Sequence, residues 1–318
     1  MKDNTGYFWS SSSLGHRNNA YHPENPKRAE LLDPLQIKIN SKNLKKIEYS
    51  QIDSQSWIQR VHCHKYIDKV QNGFENKLGS LDGGAIGKTK LHQDTFKVST
   101  DAVRGGLELV RQVFSKQIRN GFAAIRPPGH HACRDVGKGF CYFNNVAILA
   151  KYAQIEYGIK NVLIIDWDVH PADGTMNIFY EDPTVYILNL FQRGVYGVAF
   201  EQSDSGRGDG LGTKFNYPLT ATISNKSYVN QFESYLNRAC MISKPELIII
   251  SAGFDMHRLD PLADMKIETE TFSYLTELVK QAADAYCDGR VVSVLEGGYL
   301  PEVLQDCVKV HVETLCKK

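Results

Sequence analysis

Three side chains on alternate positions, Asp166, Asp168 and His170, offer the first sign of chemistry in this chain. In extended backbone, residues i, i+2 and i+4 point to one side, so these three converge. Carboxylate oxygen and neutral imidazole nitrogen together suit a borderline cation such as Zn²⁺. Asp255, in Gly253-Phe254-Asp255, is the candidate that completes a set of Asp168, His170 and Asp255. Three protein ligands leave one position open for water and substrate, the pattern of a catalytic rather than a structural zinc site. Taken alone, the Asp-x-Asp-x-His run is equally a helix-capping or salt-bridging acidic loop. The residues that accompany it elsewhere in the chain weigh against that reading.

His130 and His131 follow Pro127-Pro128-Gly129, a turn stiffened by proline and given freedom by glycine. Two imidazoles there can orient and deprotonate an attacking water, and such a base needs a carboxylate to hold its tautomer. Asp166 and Asp173 are available for that. The histidines are otherwise turn residues or metal ligands themselves. Tyr299 follows Gly297-Gly298, where its hydroxyl can donate to a developing oxyanion. The alternative is a packed core tyrosine.

The elements that must position these residues are legible as short apolar runs. Phe122–Ile125, Val162–Ile165, Val185–Leu190, Leu247–Ser251 and Val291–Leu295 are rich in Val and Ile and do not alternate with polar residues. That pattern predicts strands covered on both faces of a parallel sheet. Asn144–Tyr157, Tyr228–Ser243 and Thr269–Cys287 carry apolar residues at helical spacing. Strand–helix alternation predicts an α/β fold, one sheet in a single domain over 1–318, with the site beyond the carboxyl ends of the strands. Four of the five runs lead directly into the His, Asp, His, Asp and Tyr named above.

The bulk properties exclude several classes. A net charge of +1 gives no electrostatic reason to expect a nucleic-acid or membrane partner. No run approaches the ~18 apolar residues of a membrane span. Met1–Ser13 lacks the apolar stretch of a secretory signal, and seven scattered cysteines without a Cys-x-x-Cys indicate a reducing compartment, with cytoplasm as the default expectation. Ser10–Ser13 reads as a local turn. Gly87-Lys88-Thr89 lacks the first glycine and the preceding strand of a phosphate loop. Gly206, Gly208, Gly210 and Gly212 read as a rim loop, and His62-Cys63-His64 as a structural segment rather than a second metal site.

Taken together, these motifs resemble the zinc-dependent histone deacetylase family, in its bacterial or class II-like branch. The resemblance spans nearly the whole chain. It runs through His22-Pro23-Glu24 with Arg28, Val61-His62 with Tyr66-Ile67, Arg126 to Ala132, and Gly139-Phe140-Cys141-Tyr142-Phe143-Asn144. It continues through Asp166 to Asp173, the Gly208/Gly210/Gly212 loop with Asn216-Tyr217-Pro218-Leu219, Ser251 to Asp255, and Glu296 to Tyr299.

The resemblance implies an arginase-like three-layer α/β/α fold and hydrolysis of an acyl amide. It implies one catalytic Zn²⁺ on Asp168, His170 and Asp255. His131 backed by Asp173 is then the general base, His130 backed by Asp166 supplies electrostatic support, and Tyr299 holds the oxyanion. A substrate tunnel would run between Phe140 and Tyr196, with Gly139, Gly298 and Leu262 in its lining. A structural K⁺ would use Asp166, the backbone of Asp168 and His170, and Asn189 and Leu190. Arg28 matches the arginine of an inner acetate channel. Two departures stand out. Asn189-Leu190-Phe191 replaces the usual Ser-aliphatic-His run, and Leu262 stands where a polyamine-specific branch has an acidic gatekeeper. The expected substrate is therefore an acylated lysine in protein or peptide, with a small acylated amine as the alternative. A metal-binding regulator with weak turnover is the reading from another class.

Overall fold

The computed structural model describes residues 4–82, 89–197 and 200–318. Gly87 and Lys88 of the rejected phosphate-loop match, and Ala199 at the end of the loop carrying Tyr196, lie outside the described residues.

All five apolar runs are strands: β3 (Asn120–Ala124), β4 (Val162–Asp166), β5 (Val185–Gln192), β7 (Leu247–Ala252) and β8 (Val291–Leu295). Three more strands, β1 (Thr5–Trp9), β2 (Leu44–Ile47) and β6 (Lys214–Leu219), complete one eight-stranded sheet in the order β2-β1-β3-β8-β7-β4-β5-β6. Every neighbouring pair is parallel. The two edge strands escape an apolarity search for physical reasons. β2 carries two lysines, and β6 carries Pro218, which an edge tolerates because one side of it has no ladder partner.

Side chains alternate between two cores. Leu163, Ile165, Ile248 and Ile250 pack on one face with Trp167 and the Asn225–Ser243, Thr269–Tyr286 and Pro301–Leu315 helices. Val162, Ile164, Leu247 and Ile249 pack on the other with the Thr95–Phe114 and Asn145–Tyr157 helices. This is a three-layer α/β/α domain. The Thr95–Phe114 helix was not among the expected ones, because Gly105-Gly106 interrupts its pattern. A Cβ at Gly105 would fall on the Phe8 ring, so the helix packs closely on β1 through that glycine. The three expected helices are present with ends shifted by up to three residues.

The order of the strands does the positioning. β7 and β8 come last in the chain but insert between β3 and β4. The four strands that end in candidate functional residues are thus the four central neighbours, and all release their chains at the same sheet edge. That edge is where open α/β sheets bind ligands.

Candidate active site

Asp168, His170 and Asp255 come together in a buried cluster whose ligand atoms all lie within 4.8 Å of one another. His170 Nδ1 is 3.0 Å from Asp168 Oδ1 and 3.0 Å from Asp255 Oδ2. Ligands at ~2.1 Å around a tetrahedral cation stand roughly 3.4 Å apart, so the donors sit close to the spacing Zn²⁺ requires. Backbone N–H groups aim the carboxylates. Gly297 N donates to Asp168 Oδ2 at 2.8 Å, His170 N to Asp168 Oδ1 at 2.9 Å, and Val169 N to Asp255 Oδ1 at 2.9 Å. Gly253 and Gly297 are there by necessity. A Cβ on Gly253 would strike Asp168, and one on Gly297 would strike the carboxylates of both Asp168 and Asp255.

The electrostatics of this cradle call for a cation. Burial opposes a charge on His170, yet its hydrogen bonds to Asp168 and Asp255 outweigh burial and push the imidazole up to about 10. Burial and then the neighbouring Asp168 charge raise Asp255. Two buried carboxylates this close need positive charge between them, and an oxygen–nitrogen–oxygen donor set with an open side fits a divalent zinc-like ion.

Beside the cradle, His131 Nδ1 is 2.7 Å from Asp173 Oδ1, and Lys138 Nζ pairs with Asp173 Oδ2 at 2.6 Å. His130 Nδ1 is 3.2 Å from Asp166 Oδ2. The two rings lie 4.0 Å apart but sit in opposite fields. Burial and then the His130 charge pull His131 down to about 4, against the attraction of Asp173. For His130, burial is outweighed by Asp168 and Asp166, and the ring is held well above the usual range. Burial opposes ionisation of Asp173, but His131 and Lys138 hold it at about 2.

His131, His170 and Tyr299 open onto one cavity of about 400 Å³, which Gly139, Phe140, Tyr196 and Leu262 also line. Tyr196 stacks on the His131 ring at 4.3 Å, and Phe140 meets Tyr299 edge-on at 5.7 Å. Phe140 sits in the left-handed region at φ +67°, a strain of about 1–2 kcal/mol for an L side chain. A hydrogen bond from its N–H to Thr89 Oγ1 at 3.1 Å holds it there. Burial, then Asp255 and Asp168, raise Tyr299 well above its ordinary value, so its hydroxyl keeps a proton to donate. Gly298, at φ +118°, turns the chain just before it.

Arg28 lies beneath Tyr299 and is fully buried. Its guanidinium is 5.0 Å from the ring centroid, and it donates to Gly298 O at 2.6 Å and Glu296 O at 2.5 Å. Glu24 pairs with both Arg28 and Arg126. Asn189, in register with Asp166, accepts from Ala172 N at 3.2 Å and donates to Asn216 Oδ1 at 2.8 Å; Leu190 is buried beside it. His62 accepts from Asn144 N at 2.9 Å, as a structural residue would.

Several contributors had not been singled out from the sequence. Glu296 accepts from Gly129 N at 2.6 Å and His130 N at 3.1 Å, bracing the histidine turn, and burial lifts its carboxyl to about 7. Asp260 accepts from Tyr299 N at 2.6 Å and Leu262 N at 3.0 Å. Lys138 and Lys90 were likewise passed over, because isolated lysines in loops give no local signal. Glu296 lies within the Glu296 to Tyr299 motif and Asp260 two residues before Leu262, but neither carboxylate has a role that its type and spacing declare.

A family model described as "Histone deacetylase domain" matches residues 22–315. Histone deacetylase 10, chloroplastic, of Oryza sativa subsp. japonica is 35% identical over 97% of this chain and 72% of its own length. Polyamine deacetylase HDAC10 of Homo sapiens is 37% identical over 80% of this chain and 39% of its own length. Among solved structures, the HDA15 HD domain has a TM-score of 0.88 at 28% identity, with 99% of this chain and 90% of that chain covered. The fold and these similarities define a hydrolase acting on amides. The chain belongs to the histone deacetylase family.

Proposed function

We propose that this protein removes an acetyl or other acyl group from a lysine side-chain amide, releasing a carboxylate and a free amine. One observation carries the reading: His170 of the Asp168/His170/Asp255 cluster lines a single cavity together with His131 and Tyr299. Zn²⁺ is the ion the cradle suits, and when bound it supplies a Lewis-acid centre with an open coordination position. Asp173 holds His131 Nδ1, which leaves Nε2 as the nitrogen that takes a proton from the attacking water and passes it to the departing amine. Asp166 fixes His130 beside it as electrostatic support. The Tyr299 hydroxyl donates to the carbonyl oxygen as negative charge builds there. Phe140 and Tyr196 flank the stem of the substrate, and Arg28 faces the inner end, where the small carboxylate leaves. A K⁺ at Asp166, Asp168, His170, Asn189 and Leu190 belongs to the same proposal, as does a reducing compartment, in keeping with seven free thiols.

A small acylated amine is the second reading, favoured by the identity to the human relative named a polyamine deacetylase. Leu262 in the cavity lining favours the neutral stem of an acyl-lysine. The test is hydrolysis of an acetyl-lysine peptide by zinc-loaded protein. Tyr299→Phe is expected to lower kcat by about 100-fold or more and His131→Ala by about 100- to 10,000-fold. Chelation should abolish turnover and Zn²⁺ should restore it. Wild-type rates no higher than those of the two variants would overturn the deacylase reading.

A further inference from the structure

The cavity changes character along its length. His131, His170 and Tyr299 are buried at its floor, whereas His22, Pro23, Lys90, Val195, Tyr196 and Leu262 are half-exposed at its mouth. Histidines aside, Lys90 is the one residue with a fixed charge among the described residues that line it.

Its main chain is held in place at the rim. The backbone of Lys90 is pinned: its carbonyl accepts from the Tyr142 hydroxyl, and it bridges to Ser80. Its neighbour Thr89 receives the Phe140 N–H, which ties this strip of chain to the aromatic wall. Among the described residues no carboxylate forms an ion pair with Lys90 Nζ; Asp82, the acidic residue of the same strip, accepts from Thr89 N at 2.8 Å and from Thr89 Oγ1 at 3.1 Å. The adjoining residues 83–88 read Gly-Gly-Ala-Ile-Gly-Lys and contain no acidic residue by sequence. A lysine at the rim of an apolar channel, without an ion pair among the described residues, attracts anions and repels cations that approach the channel.

We propose that Lys90 makes this enzyme selective for acyl-lysine substrates that carry a carboxylate just beyond the lysine stem. The inference rests on the reading of the cavity as an acyl-lysine site and deepens it. The carboxylate comes from one of two sources: an acidic side chain flanking the acylated lysine in a peptide, or the free α-carboxylate of the acylated lysine itself. Acetylated polyamines, with cationic tails, are disfavoured by the same charge.

The test measures kcat/KM of zinc-loaded protein on five substrates. These are an acetyl-lysine peptide with neutral flanks, the same peptide with glutamate at the flanks, Nε-acetyl-lysine with a free carboxylate, its carboxamide, and N-acetylspermidine. The glutamate peptide or the free carboxylate is expected to exceed its neutral counterpart by about two- to five-fold at low salt, the scale of one partly screened charge pair. The pair that shows the preference identifies the source. The ratio should fall toward one in 1 M salt, where screening acts over ~3 Å. It should also fall toward one in Lys90→Met, survive in Lys90→Arg, and invert in Lys90→Glu with a relative gain for N-acetylspermidine. A ratio near one in the wild type, with brisk turnover of the neutral peptide, overturns the role of Lys90 and leaves the deacylase reading standing. A preference undiminished in Lys90→Met overturns it too. Absence of turnover on every substrate would overturn both.

Discussion

At the floor of the cavity His131, His170 and Tyr299 are at most 8% exposed, and the carboxylates around them are aimed by backbone N–H groups from two different loops. At the mouth Lys90, Val195, Tyr196 and Leu262 are half-exposed, and Lys90 has no charge partner among the described residues. The floor is closely determined: Asp168 accepts from Gly297 N and His170 N, Asp255 from Val169 N, and Asp173 holds His131, as reacting groups that must hold their geometry require. The mouth is expected to tolerate changes of charge more readily, apart from Tyr196, which stacks on His131. The difference separates what makes this chain a deacetylase from what decides its substrate.

The sharpest way to break that contrast is at the floor. Gly297→Ala would place a methyl group on the Asp168 and Asp255 carboxylates. Bound zinc, measured by elemental analysis, and kcat/KM are both expected to fall by about 100-fold while the circular dichroism spectrum is retained. Full zinc occupancy in this variant would show that the cradle is not held by that close approach.

The burial that stiffens the interior also makes it sensitive to acid. Burial drives His16 down to about 3, His62 to about 4 and His311 to about 3. The unfolded chain binds protons at these residues near pH 6.5, but the folded chain does not until pH 3–4. Stability from this source is therefore complete above about pH 6.5 and is lost as pH falls toward 4. The slope is as much as about 1.4 kcal/mol per histidine per pH unit. Urea midpoints should drop steeply over that window, and His311→Gln, at a residue that does not line the cavity, should make the drop shallower. A flat profile would refute it.

A smaller effect is expected at Lys138, which clamps the side of Asp173 turned away from His131. Lys138→Met should lower kcat by about five-fold with little change in KM, and Lys138→Arg should restore most of it. An unchanged kcat would place Lys138 with the mouth in its tolerance. Smallest of all, Leu262→Ala should raise KM by about two- to three-fold and leave kcat alone, since a few half-exposed methyl groups contribute little. A collapse of kcat there would erase the distinction between floor and mouth.

Much of this architecture was legible in advance because local rules govern it. Uninterrupted Val/Ile runs mark strands covered on both faces, and those five runs are strands of one parallel sheet. β2 and β6 were invisible to the same rule because edge strands carry Lys and Pro, and the Thr95–Phe114 helix was hidden by its glycine pair. At the site, types and spacing singled out Asp168, His170, Asp255, His131 and Tyr299. Glu296, Asp260 and Lys138 act through contacts with Gly129, Tyr299 and Asp173, residues distant in the chain, for which no spacing rule exists.

The chain by itself determined the donor types, the alternation that turns Asp166, Asp168 and His170 to one side, and the apolar runs that end in them, since all of these depend on a few consecutive residues. Only the tertiary structure decided that β7 and β8 return to lie between β3 and β4. That insertion brings Asp255 within 3.0 Å of His170, sets Gly297 against both carboxylates, and leaves Lys90 at the rim. The physical reason is that strand order is settled by how two apolar faces are covered across the whole sheet, a balance summed over the entire core and written in no single segment.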